Sequence, residues 1–247
     1  MWAGRAGRIW GHSALHSVPN RIQGDRTLMG TSTRPSPRRG RPPSYDRDVA
    51  LRAIRDVFWD RGFSAASLDD IAAAAGMKRP SLYGAFGDKR EMYLAALRMF
   101  SAESGREMQE ALEAPTLREA LEAFYVGTIE EYLSGEAGPR GCLVICTAVV
   151  EATGDATIRS ALAEILDELD SLVAVRIARA KAEGDRCAAG DAKVLARLAT
   201  SVLHSVAVRA RAGAPRSDLL AIARATVEVI VGPASGVAPV RRASLAR

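Results

Sequence analysis

The stretch GMKRPSLYGAF, Gly76–Phe86, looks poorly made for a helix, with Gly76 at one end, Gly84 near the other and Pro80 between them. Yet the residues on both sides read as helix. Ahead of it lies SLDDIAAAAG (Ser67–Gly76), in which Ser67 and Asp70 have the spacing of a capping box and Gly76 is a stop. Leu68, Ile71, Ala72 and Ala75 recur there at i, i+3, i+4, i+7, a compact inward stripe. Behind it, Asp88 and Glu91 form a second box and open a long apolar-periodic run. Pro80 falls in the first turn of any helix starting near Arg79, where its missing N–H costs little. Leu82 and Phe86, four apart, then share the inward face, which places Pro80 and Gly84 roughly opposite with Ser81 and Tyr83 on the flanks. Gly84 sacrifices about 1 kcal/mol of helix propensity. A face without side chains offsets that loss if the backbone must approach another surface closely.

Working outward, the spacing predicts a helix from Asp46, with Val49, Ala53, Val57 and Phe58 at helical intervals until Gly62 closes it. With Ser67–Gly76 and Arg79–Phe86 it makes a three-helix unit containing a helix-turn-helix candidate. In that arrangement Lys78, Arg79 and Ser81 can reach phosphates or base edges in a major groove. The helix opened by Asp88 runs to about Ala114. Thr116 and Glu119 then open another that ends near Ser134, and GEAGPRG is a loop. A short apolar helix follows from Gly141 to about Ala152. Asp155 starts a long helix to Gly184, Asp191 one to near Gly213, and Ser217 a last one to about Val231. The fold class is all-α, about nine helices, three small ones followed by six longer. The expected division is a basic arm at 1–44, a DNA-binding unit at 45–92, a helical body at 93–232 and a tail at 233–247.

Charge separates the arm from the rest. Residues 1–44 hold eight arginines and one aspartate, a charge of +7 against +5 for the whole chain, so the remainder is slightly acidic. A basic arm on a near-neutral body points to a polyanionic partner. Rich in Pro, Gly, Ser and Arg, it has little to bury and reads as disordered, as does the tail GPASGVAPVRRASLAR. Met29 is expected to be the natural start, with residues 1–28 a translated leader. Cys142, Cys146 and Cys187 are odd in number and match no disulfide framework or zinc site, which fits a reducing cytoplasm. The longest apolar run, CLVICTAVV (Cys142–Val150), falls far short of the roughly 18 residues a membrane span needs. The sequence thus predicts a soluble, intracellular protein with no membrane partner.

Residues Asp46–Leu97 resemble the N-terminal DNA-binding domain of the TetR (tetracycline-repressor-like) family of transcriptional regulators. The resemblance rests on Ala53, Phe58, Gly62, SLDDIAAAAGM at Ser67–Met77, SLY at Ser81–Tyr83, Phe86 and DKRE at Asp88–Glu91. It implies a homodimer that inserts its third helix into successive major grooves of a palindromic operator. By position, Tyr83 and Lys89 would clamp phosphates and Ser67 would hold the backbone at the second helix. Arg79, Pro80, Ser81 and Gly84 would face the bases. Family members usually carry Ser or Thr at the position of Lys78, whose hydroxyl caps the recognition helix. Lysine has no acceptor for that bond, so Lys78 would contact a phosphate instead. Gly84 and Ala85 also replace a bulkier pair often found there. Within the arm, Arg38, Arg39 and Arg41 in RRGRPP resemble an AT-hook, suited to a narrow minor groove; the alternative is a plain flexible tail. PRGCLV at Pro139–Val144 is similar to a segment near the sixth helix of some members.

The body offers no catalytic parts: no G-x-x-x-x-G-K-[ST], H-E-x-x-H or G-x-S-x-G motif occurs, and His204, among Val202, Leu203 and Val206, reads as a core or interface residue. No enzyme activity and no cofactor are expected. Phe100, Phe124, Tyr125, Ile129 and Tyr132 are candidates to line a small-molecule pocket, with Thr147 orienting a polar group, although each also reads as ordinary core. Cys142 and Cys146, four apart, read either as small core residues or as a thiol sensor bordering that pocket. Val194, Leu198, Val202 and Ala207, with Leu219, Ile222, Val227 and Ile230, form apolar stripes on the last two helices. The resemblance assigns these to an isologous four-helix dimer interface. The rival from another class is an architectural nucleic-acid protein that uses its arm without an effector.

Overall fold

A computed structural model describes residues 45–135 and 138–232; the arm with Arg38, Arg39 and Arg41, and the tail 233–247, lie outside the described residues. Among the described residues there are helices and no strands. They are α1 (Arg47–Ala65), α2 (Leu68–Ala74), α3 (Arg79–Phe86), α4 (Lys89–Leu112) and α5 (Leu117–Leu133). A π-helical segment (Val144–Ala148) then runs into the short α6 (Val149–Glu151). It is followed by α7 (Ala156–Ala182), α8 (Ala192–Arg211) and α9 (Arg216–Val231). None is long and apolar enough to cross a membrane.

The caps sit where the sequence puts them. Asp46, Asp155 and Asp191 accept backbone N–H groups at the starts of α1, α7 and α8. Ser67–Asp70, Asp88–Glu91 and Thr116–Glu119 form complete capping boxes. Four local expectations change. Gly62, at φ 76°, breaks α1 without ending it, and Phe63 beyond the break packs at 6.1 Å from Phe58 and 5.0 Å from Tyr93. The buried face of α1 is Ala50, Leu51, Ile54, Phe58 and Trp59, so Val49 is exposed while Ala53 and Val57 are half-buried. The helix expected from Gly141 starts later and opens as π-helix; α9 begins at Arg216 behind Pro215, so Ser217 is not its cap.

α1, α2 and α3 close over Ile54, Phe58, Ile71, Leu82 and Phe86, and the N-terminal half of α4 completes that core with Met92, Tyr93, Ala96 and Leu97. α4 continues into the bundle of α5, α7, α8 and α9. Alanines 196, 199, 207 and 210 line the inner face of α8, and small residues let helices pack closely. Arg176, buried on α7, donates from Nε to the Leu112 carbonyl at 2.9 Å and from Nη2 to that of Ala114 at 3.2 Å. It satisfies carbonyls that the end of α4 leaves unpaired.

Candidate nucleic-acid interface

The turn between α2 and α3 is a Schellman stop. Gly76, at φ 62°, donates to the Ala73 carbonyl at 3.1 Å, and Met77 donates to that of Ala72 at 2.9 Å. At the other end of α2, the Ser67 hydroxyl accepts from the Asp70 N–H (3.1 Å) and donates to the Asp70 carboxylate (2.6 Å). Arg61 Nη1 lies 2.8 Å from the same carboxylate. The Ser67 hydroxyl first, then the Ser67 N–H and the Arg61 charge, hold Asp70 below the usual carboxylate range.

α3 is anchored through Leu82 and Phe86, both buried, while Lys78, Arg79, Pro80, Ser81, Tyr83 and Gly84 are all exposed. The expected division of this helix into an inner and an outer face therefore holds at each position. Lys78 is the N-cap, in extended geometry, and its side chain caps nothing. A Cβ placed on Gly84 would meet no atom within 4 Å, so the protein's own packing does not require glycine there.

Three partners on this face were not legible in sequence. Arg79 reaches back across the turn to Asp69, with Nε 2.8 Å from Oδ1 and Nη2 2.6 Å from Oδ2. This bidentate pair pre-orients the guanidinium beside α3. Arg47 lies over the Phe86 ring at 4.9 Å and donates toward the Ala85 carbonyl at 3.5 Å, adding a cation at the far end of the helix. Lys89 sits over the Phe63 ring at 4.7 Å with its ammonium 3.5 Å from the Ser64 carbonyl. To clamp a phosphate, Lys89 would have to leave those partners.

A dense contact joins this unit to the body through the second half of α1. The Trp59 indole donates to the Gly141 carbonyl at 3.0 Å and packs edge-on to Phe100 at 4.8 Å. Arg211 of α8 donates to the carbonyls of Trp59, Arg140 and Asp60 at 3.0–3.3 Å. Arg140 pairs with Asp60 at 2.8 Å and lies over the Trp59 ring. Tyr93 shares a 2.6 Å hydrogen bond with Thr147, whose hydroxyl in turn donates to the Leu143 carbonyl.

The residues expected to line a pocket in the body are mostly engaged in the protein's own packing. Phe100 is occupied with Trp59, Thr147 with Tyr93, and the Tyr125 hydroxyl with the Ala199 carbonyl at 2.8 Å. Ile129, Tyr132 and Cys142 are packed core, and the half-buried Cys146 lies against the Ala207 carbonyl. Burial pushes the Cys142 thiol up to about 12 and raises Cys146 too, so neither carries thiolate character at neutral pH. A small cleft, open to solvent, lies between α4 and α5. Of the expected set only Phe124 lines it, together with Ser104, Glu107, Met108, Thr128 and Glu131.

The expected dimer stripes also divide. Ala207, Leu219, Val227 and Ile230 are buried inside the protomer and cannot meet a partner. Val194 and Leu198 are exposed, and Val202 and Ile222 are half-buried. Val208 and Val229, which the spacing argument missed, are exposed on the same two helices. His204 is half-buried, and burial holds its imidazole toward the neutral form.

Comparison with known proteins agrees with this geometry. Residues 50–96 match the family model described as bacterial regulatory proteins, tetR family. The HTH-type transcriptional repressor ComR of Escherichia coli K12 is 31% identical over 197 residues, covering 77% of this chain and 91% of that one. A cysteine-substituted variant of the TetR family transcriptional regulator CifR, solved on a 26-base-pair operator duplex, is 34% identical with a TM-score of 0.71. That match covers 77% of this chain and all of the other. The reduced form of E. coli NemR, 20% identical with a TM-score of 0.66 over 76% of the chain, shares the fold.

Proposed function

The chain belongs to the TetR family of bacterial transcriptional regulators, and on that premise we propose that it is an effector-responsive repressor that reads a palindromic operator as a homodimer. The observation that carries this reading is the outer face of α3, bare at Gly84 and compact at Pro80 and Ser81 while Leu82 and Phe86 anchor the helix behind it. Such a face lets the helix backbone enter a major groove closely. Arg79, Pro80, Ser81 and Gly84 then meet base edges, while Tyr83, Lys78, Lys89 and the start of α2 at Ser67 meet phosphates. Arg38, Arg39 and Arg41 follow the adjacent minor groove.

Residues 45–92 form the reading unit in this account, and 93–232 the unit that senses and dimerises. Two copies pair through the exposed faces of α8 and α9. A small molecule that prefers a body conformation with the two α3 helices misplaced weakens operator binding by its coupling energy, commonly about 1–3 kcal/mol. The protein works in the cytoplasm, and no catalytic step is assigned to it.

A fluorescence-anisotropy titration at ~0.15 M salt, against DNA upstream of the protein's own gene and a scrambled duplex of equal composition, tests the reading. Binding about a thousandfold tighter to the native segment is expected of a specific reader. Equal, strongly salt-dependent binding to both would favour the architectural alternative, in which the arm does the work.

A further inference from the structure

The α4–α5 cleft has a chemistry of its own. Its floor is apolar, with the Met108 side chain and the Phe124 ring. Glu131 from α5 and Glu107 from α4 line it, and Ser104 donates to the Glu131 carboxylate at 2.7 Å. Gly127 on α5 leaves it open on one side, since a Cβ there would touch nothing within 4 Å.

Among the described residues no basic side chain forms an ion pair with Glu107 or Glu131. The nearby arginines are already committed. Arg52 and Arg55 of α1 both pair with Glu103, and Arg55 also with Asp56. The charged groups felt by Glu131 are Glu107 and Glu103 of α4, which disfavour its ionised form, and Arg55 of α1, which favours it; burial is the largest influence and pushes it up to about 7. Two carboxylates, Glu107 exposed and Glu131 partly withdrawn from water, stand over an apolar floor and can accept from a cationic donor.

From the lining of this cleft we infer that it is the effector site and that it takes a small organic cation, an ammonium or amidinium group on an apolar body. The cationic head lies between Glu131 and Glu107, and the body covers Met108 and Phe124. Binding favours the ionised Glu131, so affinity falls as the pH is lowered below about 7. The route to DNA is short. The same turns of α4 carry Glu103, which holds Arg52 and Arg55 of α1, and α1 packs directly against α2. This assignment rests on the reading of the protein as an effector-responsive regulator.

The test uses the full chain labelled with 13C-methyl methionine, with the Met108 signal identified by its loss in Met108→Leu. Benzylammonium, benzyl alcohol and benzoate are titrated in parallel, alike in shape and different in charge. The expected result is a saturable shift of the Met108 methyl by benzylammonium, at least about tenfold tighter than by benzyl alcohol and absent with benzoate. Glu131→Gln and Gly127→Leu, which removes the charge and fills the space respectively, each weaken that binding about tenfold or more. Glu110→Gln, an equal charge change on an exposed part of α4 outside the cleft, leaves it unchanged. Equal affinity for cation and alcohol, or no Met108 shift with any probe, overturns the assignment. So does binding of the cation that leaves operator affinity unaltered. Failure to bind any operator without the cation counts instead against the regulator reading, because the methyl titration contains no DNA.

Discussion

Lys78 occupies the N-cap of α3 with φ −77° and ψ 145°, the backbone geometry of a capped helix, but an ammonium cannot accept the N–H groups waiting there. The missing cap was readable from residue type alone, because capping depends on one side chain and its immediate neighbours. Lys78→Thr supplies the acceptor without moving the backbone. It should raise stability by about 0.5–1 kcal/mol in urea unfolding while weakening operator binding if Lys78 contacts a phosphate. Glu131 makes the opposite kind of residue-scale prediction. Its carboxyl is raised from 4.5 to about 7, chiefly by burial, so the folded state holds a proton that the unfolded chain releases. Its contribution is therefore most favourable below about pH 4.5 and is lost as the pH rises through about 7. Relative to wild type, Glu131→Gln should gain stability across that window and be the more stable protein at pH 8, by on the order of 2 kcal/mol. A constant difference between pH 4.5 and pH 8 would show that Glu131 does not titrate there.

At the scale of elements, helix starts and stops were legible because Ser67, Asp88, Thr116, Asp155 and Asp191 announce them locally. The exceptions have tertiary causes. The chain after α5 does not resume as helix at Gly141, because Gly141 is wedged between three elements. Its N–H binds the Tyr132 carbonyl, its own carbonyl takes the Trp59 indole, and a Cβ there would lie 2.5 Å from the Ala207 carbonyl oxygen. With φ at +65° as well, only glycine fits. No pattern within PRGCLV reveals that three distant segments converge on it. The same convergence joins α1 to the body, so Gly141→Ala should both destabilise the fold, by at least about 2 kcal/mol in denaturant unfolding followed by far-UV circular dichroism, and loosen the coupling between effector and operator. Wild-type stability in that variant would mean the junction yields easily, and the rigid link from body to α1 would have to be abandoned.

For the whole molecule, helical periodicity located apolar stripes on α8 and α9 but could not say which neighbour each stripe meets. Ala207, Leu219, Val227 and Ile230 turned out to face the protomer's own core, whereas Val194, Leu198, Val208 and Val229 face outward. The aromatic set expected around a pocket meets the same limit: aromatic side chains on helices close a core as readily as they line a cavity, and only three-dimensional packing separates the two. If the outward set forms the dimer surface, Leu198→Glu and Val229→Glu should each shift the protein from dimer to monomer in sedimentation equilibrium. Val150→Glu, at an exposed valine on α6, should not. A glutamate is tolerated at each exposed position in a monomer, so loss of the dimer without loss of the fold is the diagnostic pattern.

In the proposed mode of binding, the bare outer face of α3 enters the DNA of an operator. The most direct test of this mode is the operator affinity of Gly84→Leu, measured beside its thermal unfolding. Nothing within the protein opposes the new side chain, and leucine improves helix propensity by about 1 kcal/mol, so the variant should be at least as stable as wild type. This equally stable protein should bind its operator at least about a hundredfold more weakly, a loss of about 2.7 kcal/mol. Undiminished operator affinity in a folded Gly84→Leu protein would contradict it, because the face assigned to the major groove would then not be the one that meets DNA.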